Sequence, residues 1–302
     1  MAISRSQLVK ELEPGLNALF GLEYKRYENQ HAEIYTTENS DRAFEEEVML
    51  SGFANAQVKA EGQGISFDEA QETFTARYTH ETVALAFAIT EEAIEDNLYD
   101  RLASRYTKAL ARSMSNAKQV KAVEPLINGL PNGSFKTGDG VTLFNTAHPT
   151  VAGQFKNTLT TAADLNETSL EQSMIDIAGM TDERGLRVAA RGVKMIIPSE
   201  LQFTAERLMK SQGRTGTADN DINAIVSMGM VPQGYRVNNY LTDTDAFYII
   251  TDVPNGMKMF NRAPLTTAME GDFDTGNVRY KARERYSFGV SDPRGIFASP
   301  GA

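Results

Sequence analysis

Residues 278–290, VRYKARERYSFGV, alternate two kinds of side chain over thirteen positions. The first kind is apolar or aromatic, and Glu284 alone interrupts it. The second kind is basic and consists of Arg279, Lys281, Arg283 and Arg285. Because side chains alternate across a β-strand, the pattern predicts one strand with a basic face and an apolar face. At about 3.3 Å per residue this strand would extend about 43 Å, a length that a compact domain seldom needs.

Earlier in the chain, two alternating stretches predict a long hairpin with strands at 53–60 (FANAQVKA) and 72–82 (ETFTARYTHET). Gly62 and Gly64 supply turn conformations between them, so the tip is expected to be loose. The second strand continues into VALAFAI at 83–89, where both faces are apolar. This last part is therefore expected to be covered on both faces.

A long helix is predicted from Thr90 to Lys121. Thr90 can cap its first turn, because the hydroxyl can accept a hydrogen bond from an unpaired amide. Acidic residues fill the start of the segment and basic residues the later turns, the order that the helix dipole favours. Apolar residues recur every four positions, at Ile94, Leu98, Leu102, Tyr106, Leu110 and Met114. This stripe drifts around a helix of about 3.6 residues per turn, which then contacts several partners.

The segments on either side of these elements are less regular. The N-terminal segment is expected to be an arm, in which Pro14-Gly15 interrupts a short helical pattern and a polar stretch follows. Residues 125–165 are rich in Pro, Gly, Asn and Thr, which predicts an irregular stretch and a domain boundary.

The chain after this boundary mixes helices and strands. A capping box formed by Thr168 and Glu171 predicts one helix start, and Pro198-Ser199-Glu200 predicts another. GVKMIIP predicts a short buried strand, while YRVNNYL and AFYIIT, separated by TDTD, predict a hairpin. Helices and strands in this order indicate an α+β fold.

The composition narrows the class of protein. A chain of 302 residues is expected to form one large or two modest domains. Its formal net charge of -10 repels polyanions such as DNA. The sequence contains no cysteine, which excludes disulfides, thiolate metal sites and thiol nucleophiles. No stretch is typical of a secretory signal or a membrane span, so we expect a soluble product made inside the cell.

Motifs for catalysis and metal binding are weak. His31, His80 and His148 lie in separate segments without metal-ligand spacing. TADNDINAIVSM resembles a calcium loop but lacks its central glycine and its final glutamate. GSFKTGD has the glycine spacing of a phosphate loop but places Asp139 where a lysine is needed. We therefore expect no catalytic residue, no cofactor and no metal.

The basic face of residues 278–290 has three interpretations. Nucleic-acid binding is disfavoured, because no aromatic side chains interleave on that face to stack bases. An acidic surface of another copy is a better partner, and Glu69 and Glu72, beyond the hairpin tip, are candidates. An ordinary solvated strand face stays open as the alternative.

Several blocks, taken in order, resemble the major head subunits of Mu-like tailed phages, a branch of the Hong Kong 97-type capsid fold. They are FEEEVMLSGFANAQVKAEGQGISFDEA, the helix after Ile89, LFNTAHPT, KMIIPSEL and DFDTGNVRYKARERYSFGVSDPRGIF. The similarity spans most of the chain, and it implies an α+β shell subunit without catalytic machinery. It also implies an N-terminal arm (1–44), an extended-loop hairpin (45–88), a peripheral domain (89–126 and 268–302) and an axial domain (127–267).

The resemblance places contacts between subunits in three groups of residues. The hairpin tip is expected to contact a neighbour, because its glycines make it mobile and its apolar side chains favour burial. The tip group is Glu61, Gly62, Gly64, Ile65, Phe67, Glu69 and Glu72. The second group is the basic set of the long strand. The third lies in a loop that approaches the five-fold and quasi-six-fold axes, with Gly213, Arg214, Asp219 and Asp221.

The same resemblance implies assembly as pentamers and hexamers into an icosahedral shell around double-stranded DNA, inside the bacterial host cytoplasm. Only about 44 residues precede the extended loop, too few for a built-in scaffolding domain, so a separate scaffolding protein is implied together with a portal. A decoration protein is left open, the DNA is expected to be enclosed but weakly bound, and no membrane is involved. No cross-link between subunits is assigned.

Two other functions stay open at this point. An encapsulin-like compartment shell would share the fold but would enclose cargo instead of a genome. A soluble carboxylate-dependent hydrolase would need acidic residues with shifted pKa values clustered in one pocket.

Overall fold

The computed structural model describes residues 5–90, 92–93, 99–213, 221–272 and 276–302, with the side chains of 5–13 and 99–102 left out. The helices are α1 (Arg5–Arg26), α2 (Tyr99–Ile127), α3 (Glu167–Ala178), α4 (Gln202–Lys210) and α5 (Ala224–Met228). The strands are β1 (Thr36–Asn39), β2 (Phe44–Leu50), β3 (Glu72–Thr79), β4 (Glu81–Ile89), β5 (His148–Thr150), β6 (Gly153–Phe155), β7 (Gly192–Ile197), β8 (Tyr235–Val237), β9 (Phe247–Thr251), β10 (Met257–Gly271), β11 (Val278–Val290) and β12 (Ile296–Ser299).

The first sheet has the strand order β1-β10-β11-β4 and carries α1 and α2 on one face. The prediction of a strand over residues 278–290 is confirmed by β11, which pairs antiparallel with both β10 and β4. Alternation places Tyr280 and Ala282 in a core with Phe20 of α1 and Met114 of α2. The opposite face of β11 carries the basic side chains and is open to solvent at its first half.

The second sheet has the order β12-β9-β7-β8 and is enclosed by α3, α4 and α5. The buried strand predicted from GVKMIIP is confirmed by β7. The hairpin predicted from YRVNNYL and AFYIIT is wrong, because β7 lies between β8 and β9 and pairs with both. The apolar side chains of β7, such as Met195 and Ile196, point to both faces of the sheet, which favours a central position for this strand.

A separate two-stranded hairpin is formed by β2 and β3. The first strand predicted at 53–60 is wrong, because Phe44–Leu50 takes the place opposite β3. The side chains of β2 alternate between exposed and partly buried, which is the strand pattern that FEEEVML carries. Residues 51–71 join β2 to β3 without helix or strand, and we call them the extended loop.

The break predicted at Pro14-Gly15 is also wrong, because α1 runs through both residues. Leu16 and Phe20, four residues apart, are buried against α2 and β11, and this packing outweighs the backbone bond that a proline removes. The cap predicted for the helix that follows β4 is confirmed, since the Thr90 hydroxyl accepts a hydrogen bond from the amide of Ala93 at 3.4 Å. Residues 91 and 94–98 of that predicted helix lie outside the described residues, and α2 continues past Lys121 to Ile127.

The irregular stretch predicted between the two regions is confirmed, since turns and two three-residue strands occupy most of residues 128–166. The capping box predicted from Thr168 and Glu171 is wrong. Asn166 caps α3 by accepting from the Ser169 amide at 2.8 Å, and the Ser169 hydroxyl accepts from the Asn166 amide. Within the described residues, no helix has the length and apolar character that a membrane span requires.

Candidate assembly surfaces

The extended loop projects its apolar side chains into solvent. Phe67 is 96% exposed and Ile65 is 74% exposed, which is costly for apolar groups that have no partner within this chain. The predicted tip group is exposed throughout, and its last member, Glu72, begins β3. Gly62 has a φ of 82°, a conformation that favours glycine, and the adjacent amide of Gln63 donates to the Ala60 carbonyl at 3.2 Å.

The base of the extended loop is fixed by several polar contacts within the loop and by Arg184 of a distant turn. The Asp68 carboxylate accepts from the Ala54 amide at 2.7 Å, which joins the two sides of the loop. Arg184 donates to the Glu69 carbonyl at 2.5 Å and lies 3.5 Å from Asp68. No sequence pattern indicated Arg184, because it is one of many surface cations and lies more than a hundred positions from the loop.

Lys258 of β10 fastens the hairpin to the first sheet. Its Nζ lies 3.1 Å from Glu38 of β1 and 2.5 Å from Glu47 of β2, and it is almost fully buried. Burial alone would lower the pKa of Lys258, but the hydrogen bonds to the two carboxylates outweigh it and the net shift is upward. Glu47 also accepts from Ser291, whose hydroxyl is 2.5 Å from that of Tyr78.

The basic face of β11 is confirmed as a row on one side of the sheet. Arg279, Lys281 and Arg283 are exposed, whereas Arg285 is half-buried and its Nε has no hydrogen-bond partner. Arg279 pairs with Asp272, while Lys281 and Arg283 form no ion pair with any described residue. Their neighbours across β4 are Ala84 and Ala86. Small side chains beside the row leave it accessible to an acidic surface.

Glu284, the one break in the apolar side of β11, is a buried structural carboxylate. Lys118 of α2 donates to it at 3.1 Å, and the Tyr24 hydroxyl of α1 donates at 3.5 Å. Burial raises the pKa of Glu284, and the Lys118 ammonium opposes that shift. The carboxylate therefore holds both helices of the first region against the long strand.

The predicted axial loop is described only at its two ends. Gly213 forms an isolated bridge to Ile222, and Asp221 is exposed, whereas Arg214 and Asp219 lie outside the described residues. Asn223, weighed above within a calcium-like loop, caps α5 through its side-chain oxygen and donates to the Leu208 carbonyl at 2.7 Å. Among the described residues, no three acidic or histidine side chains are grouped as metal ligands.

The Asp139–His148 pair resembles a catalytic dyad but is structural. Its atoms are 2.6 Å apart, and the two side chains are almost fully buried. Burial would raise the pKa of Asp139, but hydrogen bonds from His148 and Thr137 outweigh it and lower that pKa. The other nitrogen of His148 contacts Asn157 at 3.0 Å, so the ring is fixed at both ends and cannot reach a substrate.

The overall fold is of the Hong Kong 97 type, as comparisons with solved structures indicate. It is similar to the virus-like particle from Pyrococcus furiosus, with a TM-score of 0.51 and 11% identity over 94% of this chain and 97% of that one. The capsid of Myoviridae Phage XM1 gives a TM-score of 0.54 and 12% identity over 89% of each chain. The capsid of an empty GTA particle gives 0.52 and 14% identity over 88% of this chain and 87% of that one.

At the level of sequence, the model of the family described as phage capsid protein matches residues 72–299, and the chain belongs to that family. A search of curated proteins returns no match. The chain is a major capsid protein of the tailed-phage type, a structural subunit of the virion shell and not an enzyme, and copies of it assemble with one another.

Proposed function

We propose that this subunit assembles as pentamers and hexamers into an icosahedral shell that encloses the double-stranded DNA genome of a Mu-like tailed phage. Exposure of the extended loop carries the proposal. Ordering a peptide segment costs roughly 1 to 2 kcal/mol per residue, and this loop recovers little of that cost inside its own chain. A neighbouring copy supplies the missing burial.

The two sheets support a division of the chain into the regions of such a shell subunit. The first sheet with α1 and α2 corresponds to the peripheral domain and the N-terminal arm, and the second sheet corresponds to the axial domain. The loop between Ser211 and Asp221 then faces the five-fold and quasi-six-fold axes, and the extended loop lies over an adjacent subunit.

The proposed assembly takes place in the host cytoplasm and involves partners other than copies of this chain. A separate scaffolding protein sets the curvature of the shell, a portal occupies one vertex, and a decoration protein is compatible with the outer surface. A net charge of -10 on each subunit opposes DNA condensation on the wall, so empty shells are expected to bind free DNA weakly. Tight, salt-sensitive binding of DNA fragments to empty shells would contradict this part.

Electron microscopy of the purified protein, expressed with and without its scaffolding protein, tests the proposal. Closed icosahedral particles are expected, and a protein that stays monomeric under both conditions contradicts it. Particles filled with DNA in infected cells support the phage shell, whereas particles that enclose only protein cargo support the encapsulin-like alternative.

The loop tip can be tested separately. The double change Ile65→Ser and Phe67→Ser should prevent particle formation while the free subunit melts at an unchanged temperature, because both side chains are already exposed. Val151→Ser is the matched control, since Val151 is 48% exposed but lies far from the tip in sequence. Normal particles from the double variant would exclude the tip as a contact.

A further inference from the structure

The outer edge of β4 is open along nine residues. Among the described residues, β4 pairs only with β11, and it lies at the end of the first sheet. Thr82, Ala84, Ala86 and Ala88 are all exposed, and no helix or loop of the described residues covers this edge. The backbone groups on that side are therefore available to another strand.

An open edge of this kind is unusual, because proteins protect sheet edges from unwanted pairing. Short strands, prolines, bulges and charged side chains are the common devices. The other edge strands of the two four-stranded sheets follow this rule, since β1 and β12 have four residues each and β8 has three. From Thr82 to Ile89 the sequence TVALAFAI contains no proline, glycine or charge. Nothing in β4 discourages an incoming strand.

The chain also contains a segment that fits such an edge and has no partner of its own. Residues 53–60, FANAQVKA, alternate in side-chain type and lack both helix and strand. All eight residues are exposed, from Phe53 at 61% to Val58 at 100%. Within the described residues their backbone forms no hydrogen bond to a strand; the Ala54 amide donates to the Asp68 carboxylate at 2.7 Å, and the Ala60 carbonyl accepts from the Gln63 amide at 3.2 Å. At about 3.3 Å per residue, the segment reaches more than about 20 Å from the end of β2.

The side chains of the two segments are compatible. Ala54, Ala56 and Ala60 share one face of the segment. In β4, Ala84 and Ala86 pair with Arg283 and Lys281 and lie on the basic face, whereas Leu85 pairs with Ala282 on the helix-facing side. Val58 shares a face with the three alanines of the segment, and on the sheet that face can continue next to Leu85, which is 46% exposed. The polar side chains of the segment then extend the solvent-facing side of the sheet.

We propose that residues 53–60 of a neighbouring copy add to the first sheet as a fifth strand, paired along the outer edge of β4. The inference rests on the proposed function, because it requires a neighbour in a shell. Main-chain hydrogen bonds provide the attachment, and the alternating side chains set its register.

Engineered disulfides test the pairing directly, because the native sequence contains no cysteine. Ala86→Cys is combined in turn with Asn55→Cys, Ala56→Cys, Gln57→Cys or Val58→Cys, and purified particles are oxidised. Directly opposite residues on one face of a sheet have Cβ atoms about 5 Å apart, so only every second position should form interchain disulfides efficiently. The matched control is Ala86→Cys with Ser66→Cys, outside the segment, and it should cross-link at least about tenfold less.

Proline substitution provides a second measurement. Gln57→Pro and Val58→Pro remove adjacent amide donors, and alternate amides of a strand point to the same neighbour. One of the two changes should therefore lower particle yield by at least about tenfold, whereas the other and the control Ser66→Pro should have smaller effects. Melting of the free subunit should be unchanged in all three.

The outcomes separate this inference from the function on which it rests. If the unmodified chain forms no particles, the proposed function is wrong and the added strand falls with it. If particles form but the four cysteine pairs show no period of two, or none exceeds the control, only the added strand is wrong.

Discussion

Strands β4 and β9 both have apolar sequences, but they differ in how far the chain buries them. In β9, FYIIT, four of the five residues are buried and the other is partly buried, because helices and neighbouring strands enclose both faces. In β4, only Ile89 is buried, and Leu85 is 46% exposed. An apolar run therefore indicates what must be covered, but not whether the same chain covers it. If the proposed contact is correct, the remaining cover of β4 comes from a neighbouring subunit.

Charged groups show the same contrast between the two regions. Arg294, beside the second sheet, donates to Thr181, Asp292 and Glu183 and stacks 4.1 Å above the Phe155 ring. Lys281 and Arg283, on the open face of β11, have no such partners among the described residues. Arg294 is therefore paired inside its own chain, whereas Lys281 and Arg283 are exposed cations that another molecule can pair.

The largest expected effect comes from breaking the buried network. Arg294→Met should lower the free energy of unfolding by about 3 to 5 kcal/mol, because it leaves the carboxylates of Glu183 and Asp292 buried without their cation. Arg279→Met is the matched control, since its ion pair with Asp272 is exposed and should contribute about 0 to 1 kcal/mol. Urea unfolding of the free subunits measures both, and equal losses would contradict the contrast.

Next in size is the removal of apolar side chains from the two strands. Ile249→Ala should cost about 2 to 5 kcal/mol, because the residue is fully buried and leaves a cavity. Leu85→Ala should cost less than about 1 kcal/mol in the free subunit, since nearly half of its surface is already in water. The same Leu85 variant should form less stable particles. A loss in the free subunit as large as that of Ile249→Ala would show that β4 needs no neighbour.

Local patterns in the sequence predicted β7, β11 and the Thr90 cap, because alternation and capping depend on a few adjacent residues. The partners of β3 and β8 were mispredicted, since pairing depends on which distant strand competes for the same edge. Packing on a distant strand likewise decided that α1 continues through Pro14.

The residues of the candidate surfaces also fall into those that local sequence patterns predict and those that only the fold brings together. The basic row of β11 and the exposed tip follow from alternation and glycine content, which are local. Lys258 and Arg184, which fix the hairpin, are single cations among 30 Lys and Arg, and only the fold brings them to their carboxylates and carbonyls. The interruption of the apolar pattern at Glu284 was the one sequence signal of a buried ion pair, and its partner Lys118 could not be named from it.

Two buried histidines extend the comparison to pH. His148 has both nitrogens paired, whereas Nδ1 of His31 has no hydrogen-bond partner. Burial and the nearby Lys118 ammonium lower the pKa of His31 to about 4. In the folded protein the pKa of His31 lies below the value of about 6.5 that it has in the unfolded chain. The stability of the fold with neutral His31 is therefore complete above pH ~6.5, and part of it is lost as the pH falls towards ~4 and the unfolded chain takes up a proton.

Replacing His31 by Phe should remove up to about 3 kcal/mol of the acid destabilisation between these two pH values. The measurement is the difference in the free energy of urea unfolding between the wild-type protein and the variant at each pH. This difference cancels the titration of the carboxylates, which both proteins share. An identical pH dependence in both proteins would show that His31 titrates normally.

The smallest expected effect on folding is the most informative about assembly. Lys281→Glu with Arg283→Glu should change the free energy of unfolding by less than about 1 kcal/mol, because both side chains are exposed and flanked by small residues. Arg285 is a poorer choice than the sequence suggested, since it is half-buried. If the row meets acidic residues of a neighbour's extended loop, the double reversal should block particle formation at low salt.

Adding Glu69→Lys and Glu72→Lys should then restore part of that assembly, because each exchanged pair regains its attraction. Each exposed pair contributes only about 0 to 1 kcal/mol, but every copy in the shell repeats it. High salt should weaken wild-type assembly through the same contacts, since charges at a partly solvated interface are screened within about 10 Å at 0.1 M. Normal particles from the double reversal at low salt would instead show a solvated strand face, and the neighbour's cover would then be confined to the edge and the tip.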